Sequence, residues 1–233
     1  VIYWIKLNKK RGFAMLNQLL DKLERKFRRF SISNLMLYIV LGMAVFAVAD
    51  IILMTNPNNK VFLIDMIEFD RGKILQGEVW RVLSFVLVPP EFNMIFLAFA
   101  LYFYWMMGTA LEHQWGSFKF NVFYFTGVIG CIIAGFILGY ATNYYLYVSL
   151  FLAFAILFPD EQILLFFFIP IKIKWLGLFS AFGLVVAFIM GDFQTRIFLL
   201  LSLANLILFF GKDVASRCYY TCRRYYYKWF KNK

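Results

Sequence analysis

The sequence predicts an all-α, polytopic membrane protein: a bundle of six transmembrane helices preceded by an N-terminal amphipathic helix at the interface. Three observations predict it. Apolar residues make up 63% and aromatic residues 21% of the 233, with a mean hydropathy of +0.72, far more than a soluble domain of this size needs for its core. Apolar runs approaching or exceeding about 18 residues, enough to cross roughly 30 Å of hydrocarbon as helix, recur along the chain. The 24 Lys and Arg flank these runs rather than interrupt them.

The windows are 36–54, 93–110, 120–140, 145–158, 175–190 and 196–211, the fourth being short. The first lacks a small-residue cleavage site and follows a long basic stretch, so it reads as a retained span rather than a signal peptide. The one long connection is 55–90. The chain therefore divides into an N-terminal segment, 1–34, a membrane domain, 35–211, and a basic aromatic tail, 212–233. Over 13–30, Leu16, Leu19, Leu20, Leu23, Phe27 and Phe30 recur at helical spacing, with Asp21, Lys22, Arg25, Arg28 and Arg29 on the other face. This helix either lies in the interface or packs on the ends of the spans. The chain begins with Val1 and Met15 stands within the start of this helix, so residues 1–14 are read as an over-extended start.

Charge sets the expected orientation. Clusters from Lys6 to Arg29 and from Lys212 to Lys233 bracket the spans, and cationic flanks stay in the cytoplasm, so both termini are expected there. Six crossings then leave only Lys60, Arg71, Lys73, Arg81 and Arg196 outside, of 24 cations. A net charge of +11 placed beside spans rather than on a folded basic face argues against nucleic acid and for anionic lipid headgroups. Cys131 lies in a span, and Cys218 and Cys222 sit in the tail, where they are free thiols or sites of palmitoylation. No phosphate loop, metal-ligand cluster or nucleotide fingerprint occurs, so no cofactor is expected.

Three stretches stand out. Gly77-Glu78-Val79-Trp80-Arg81 precedes the second span, where Trp and Arg also serve as interfacial anchors. Gly108-Thr109-Ala110-Leu111-Glu112 leaves that span, followed by Trp115, Gly116 and Phe120; the glycines allow close approach and a turn, and Glu112 can bind backbone donors. Ala153 to Pro159 ends in Phe158-Pro159, and Ile169-Pro170-Ile171-Lys172-Ile173-Lys174-Trp175 opens the fifth span. In order, spacing and six-helix frame, these resemble the rhomboid superfamily over residues 35–211, at Trp80, Arg81, Gly108, Glu112, Gly116, Pro159 and Pro170.

Proteolytic members of that family carry a Ser nucleophile at the start of span four and a His in span six. The matching positions here hold Tyr144 and Asn205, and the oxyanion positions of span two hold Phe96 and Ala100. The resemblance thus implies a catalytically inactive relative that, like derlins and inactive rhomboids, binds transmembrane segments of client membrane proteins. A hydroxyl needs a base within hydrogen-bond reach, and the single histidine, His113, belongs to a loop at the far end of span two. Two alternatives are an intramembrane serine protease with Ser149 as displaced nucleophile, and a lipid-perturbing or transport protein, the latter opposed by the scarcity of charge within the spans.

Asn205 is costly in lipid without a partner, for which Ser149 or Ser202 is expected, either as glue between spans or as part of a client site. Gly127, Gly130, Gly135 and Gly139 are expected to pack spans closely, and Asp50 to pair with Arg81.

Overall fold

In the computed structural model, residues 22–55, 62–90, 93–165 and 169–210 are described. The first half of the amphipathic helix over 13–30, with Met15, lies outside them, as do Cys218, Cys222 and the tail. The long helices are α1 (Leu35–Met54), α2 (Met94–Trp115), α3 (Ser117–Leu138), α4 (Tyr144–Leu157), α5 (Ile173–Met190) and α6 (Phe193–Ser202).

The protein is mostly helical, and α1, α2, α3 and α5 are each long and apolar enough to cross a membrane, as expected of a multi-pass membrane protein. A fifth candidate arises if the helical stretches Phe193–Leu201 and Ala204–Phe210 count as one broken span. The fourth window yields 14 helical residues, about 21 Å at 1.5 Å per residue, which falls short of a roughly 30 Å hydrocarbon core. Helix α2 outruns its window because Asn93 Oδ1 accepts the Ile95 N–H at 3.2 Å to start it, and Gly116, at φ 84°, stops it only after Trp115.

The all-α expectation omits two short antiparallel pairings. β1 (Phe69–Asp70) pairs with β2 (Tyr140–Ala141), and β3 (Gln162–Leu165) with β4 (Ile169–Lys172). The second is a hairpin between α4 and α5, where Pro170 forbids helix and the apolar run offers the period of neither element.

The chain forms two compact units, Ser31–Asn205, and Val1–Phe30 with Leu206–Lys233. In the latter, residues 22–27 are helical and Arg28–Phe30 form a 3-10 turn, with Leu23, Phe27 and Phe30 exposed and the Lys26 ammonium 5.5 Å from the Phe27 ring centre. In the former, the core lies among α1 to α4, where Met36, Met43, Met107, Leu111, Tyr124 and Leu150 are fully buried. Helix α5 contributes only Ile173 and Gly177 to it.

Gly108 makes one close approach possible: a Cβ there would stand 2.3 Å from Met36 Cγ, so α1 and α2 meet at van der Waals distance only because none exists. Gly135 and Gly139 depart from the span-packing expectation. Gly135 lies against the Phe69 ring and Ala141, and Gly139, at φ 98°, ends α3 in the left-handed conformation before β2.

Candidate functional site

Three polar clusters organise the unit Ser31–Asn205. The first lies inside the bundle. Asn205, fully buried, donates from Nδ2 to Ser149 Oγ at 2.9 Å and to the Phe123 carbonyl at 3.4 Å. Ser149 Oγ spends its own proton on the Leu146 carbonyl one turn back, at 2.7 Å. Gly127 of α3 makes room for the pair: a Cβ there would lie 2.7 Å from Asn205 Nδ2 and 2.5 Å from Leu146 Cδ1. Ser149, one of the two partners expected for Asn205, receives this bond. The hydroxyl thus receives a proton from a neutral amide, which is a donor and no base.

The other positions assigned to catalysis by the resemblance do not join this pair. Tyr144 is 61% exposed at the first turn of α4, its N–H on Thr142 Oγ1 at 3.2 Å. Phe96 is half exposed near the start of α2, with Ala100 one turn on. His113 is exposed in the last turn of α2.

The second cluster is built by the connection between α1 and α2. A four-residue helix, Ile64–Ile67, is held at both ends. At its start Asp50, 1% exposed, accepts the N–H groups of Leu63 at 2.6 Å and Ile64 at 3.0 Å. At its other end four successive carbonyls are taken by side chains: Asp65 and Glu68 by Arg81 Nη1 at 2.7 and 2.9 Å, Met66 by Trp80 Nε1 at 3.1 Å, and Ile67 by Ser84 Oγ at 2.8 Å. Backbone groups orphaned at helix ends need such partners when buried. Arg81 is 3% exposed and pairs through Nε with Glu78. The expected Asp50–Arg81 pair is therefore corrected: Asp50 binds backbone donors at the start of the short helix, and Arg81 binds carbonyls at its other end and the Glu78 carboxylate. Burial, and then the Asp65 charge, raise the Glu68 carboxyl above its ordinary range against the pull of Arg81 and Lys73.

This connection is tied to the bundle by a residue that the sequence did not single out. Asn143 Nδ2 lies 2.8 to 3.3 Å from the carbonyls of Phe85, Val86 and Val88. Beside it Tyr147 stacks on Tyr104 with ring centres 4.1 Å apart, and its hydroxyl reaches Tyr124 OH and the Val86 carbonyl, each at 3.3 Å. An Asn at a helix boundary reads as a cap, and only its burial gives it away. Asn121 is likewise buried, and both its amide atoms lack a hydrogen-bond partner among the described residues.

The third cluster sits where α2 passes into α3. Glu112 Oε1 accepts the Asn34 N–H at 2.8 Å and Ser117 Oγ at 2.6 Å, joining the starts of α1 and α3. Gly108 lies one turn before it under Met36, and Gly116 turns the chain between α2 and α3. Pro159 and Pro170 belong to the α4–α5 connection, where the Pro159 carbonyl accepts the Lys174 N–H at 3.2 Å and Pro170 faces Leu164 across the hairpin.

Among the described residues no group of His, Cys, Asp and Glu could hold a metal ion. Comparison with family models, curated proteins and solved structures found no match.

Proposed function

We propose that this chain is a catalytically inactive rhomboid-like protein of six spans, with both termini in the cytoplasm, that binds transmembrane segments of client membrane proteins. The observation that carries the reading is α5. Its 18-residue window is only 11% buried, and Leu178, Phe179, Phe182, Val185 and Ile189 stand exposed along it. On the same helix no described residue lies within 4 Å of a Cβ built on Gly183, which leaves room for another backbone to approach. In lipid, helices associate through such small positions, because apolar area alone favours neighbour helix and acyl chain equally.

The Asn205–Ser149 bond supports the inactive half of the reading, since the buried hydroxyl has an amide donor and a carbonyl acceptor but, among the described residues, no base. Counting α4 as a short span and the broken α6 region as one gives six crossings and agrees with the cationic flanks.

Photocrosslinking tests it: a benzophenone amino acid replacing Phe182, in cells, should capture membrane proteins. Capture of none sinks the client reading. Fluorophosphonate should leave the folded protein unlabelled; labelling abolished by Ser149→Ala would make it a serine hydrolase instead.

A further inference from the structure

The hairpin β3–β4 has two unlike edges. Its ladder extends past the strands, where the Ile173 N–H donates to the Glu161 carbonyl at 2.9 Å. Given the register Ile163 opposite Ile171 and Leu165 opposite Ile169, the alternate residues exchange ladder hydrogen bonds. The intervening pairs, Gln162 with Lys172 and Leu164 with Pro170, turn their backbone groups outward. Pro170 therefore places its missing N–H on the outer edge of β4, which blunts that edge against further pairing.

Nothing blunts β3. Gln162 and Leu164 turn intact N–H and C=O groups outward, neither proline nor lysine interrupts the strand, and no third strand joins it among the described residues. A two-stranded hairpin is marginal alone and gains from a third strand. At the foot of this open edge Asp160 and Glu161 are exposed, Asp160 being approached by Lys174 at 3.7 Å.

We propose that the open edge of β3 accepts, as a third antiparallel strand, the extended apolar end of a client's transmembrane segment, with the Lys or Arg residues that follow it seated against Asp160 and Glu161. The proposal rests on the client reading and names the part of the client that is read. An antiparallel guest lays its C-terminal end beside the start of β3, where the two carboxylates stand. A span leaving the membrane on its cationic side has that order, apolar stretch first and Lys or Arg after it. Backbone pairing asks little of guest side chains, so different clients fit one edge. A second copy of this chain would set its carboxylates against the apolar end of β3, which lacks that complementarity.

The test uses the full chain in phosphatidylcholine vesicles with phosphatidylserine, and a synthetic single-span peptide ending in Val-Leu-Val-Lys-Arg-Lys. A matched peptide ends in Val-Leu-Val-Glu-Glu-Glu. Benzoylphenylalanine replaces Gln162 in one preparation and Phe182 in another. Leu164→Pro removes an outward N–H and leaves the ladder donors in place. We expect it, Glu161→Lys and the Glu-tailed peptide each to lower the adduct at position 162 about tenfold, with about twofold change or less at position 182. An adduct at 182 with none at 162, or a 162 adduct indifferent to both Leu164→Pro and Glu161→Lys, overturns the edge proposal and leaves client binding standing. No adduct at either position overturns both.

Discussion

Asn205 hands an amide proton to Ser149 Oγ across 2.9 Å, and Ser149 passes its own to the Leu146 carbonyl at 2.7 Å. The chain of donors runs one way and ends on backbone. Removing the middle member, Ser149→Ala, should destabilise by about 1 kcal/mol, the scale of one hydrogen bond inside a membrane bundle. Asn205→Ala should cost more, about 2 to 3 kcal/mol, because it also opens a cavity. Reversible unfolding in mixed micelles measures both, and a double mutant as stable as Asn205→Ala alone would show that the two act as one unit.

Gly127 is the position where added bulk is felt most in this cluster. A methyl group there meets Leu146 Cδ1 at 2.5 Å and Asn205 Nδ2 at 2.7 Å, so Gly127→Ala should destabilise by about 1 to 3 kcal/mol. Adding Leu146→Ala should recover part of that loss, making the pair less damaging than the sum of the singles. Strict additivity would place the strain elsewhere.

The short helix Ile64–Ile67 depends on its two anchors. Arg81→Gln leaves the Asp65 and Glu68 carbonyls without their guanidinium, and Asp50→Leu does the same for two N–H groups. Each should cost about 3 kcal/mol, and limited trypsin digestion should then cut at Lys73 faster than in the parent. Trp80→Phe, which gives up one bond to the Met66 carbonyl, should cost about 1 kcal/mol.

Glu68 supplies a pH dependence with a definite sign. Burial, then Asp65, raise its pKa, so the folded chain holds that proton more tightly than the unfolded one. Its contribution is greatest below the ordinary value of 4.5 and is lost as pH rises through the raised value. Glu68→Gln should flatten stability across that window in a pH series of unfolding midpoints. An unchanged slope would remove Glu68 as its source.

Hydropathy made four full-length membrane helices legible, because a span is a property of composition over many residues. The shortness of α4 was legible for the same reason. Its neighbour, the hairpin, was not: the apolar run around Leu164 and Leu165 has no period that separates strand from helix, and Pro170 alone hinted at it. Asp50 and Arg81 show a different limit. Opposite charges invite pairing on paper, whereas the fold offers Asp50 two N–H groups and Arg81 two carbonyls of a helix that no pattern announced. Asn205 could be assigned a serine partner, Ser149 or Ser202, since a buried amide must find one, but Asn143, beside the more conspicuous Tyr144, carried no such mark.

The Glu112 joint bears on the order in which the chain assembles. The Asn34 N–H that opens α1 finds its acceptor 78 residues later. While the ribosome is still making α2, the first turn of α1 has no such partner and must be kept hydrated at the membrane surface. Asp50 can take the Leu63 and Ile64 N–H groups earlier, whereas this joint closes at Asn34 only when Glu112 has left the exit tunnel and is completed when Ser117 follows. Translational pausing just before Glu112 would therefore hold the nascent protein with its first helix anchored at the Asp50 end and open at the Asn34 end.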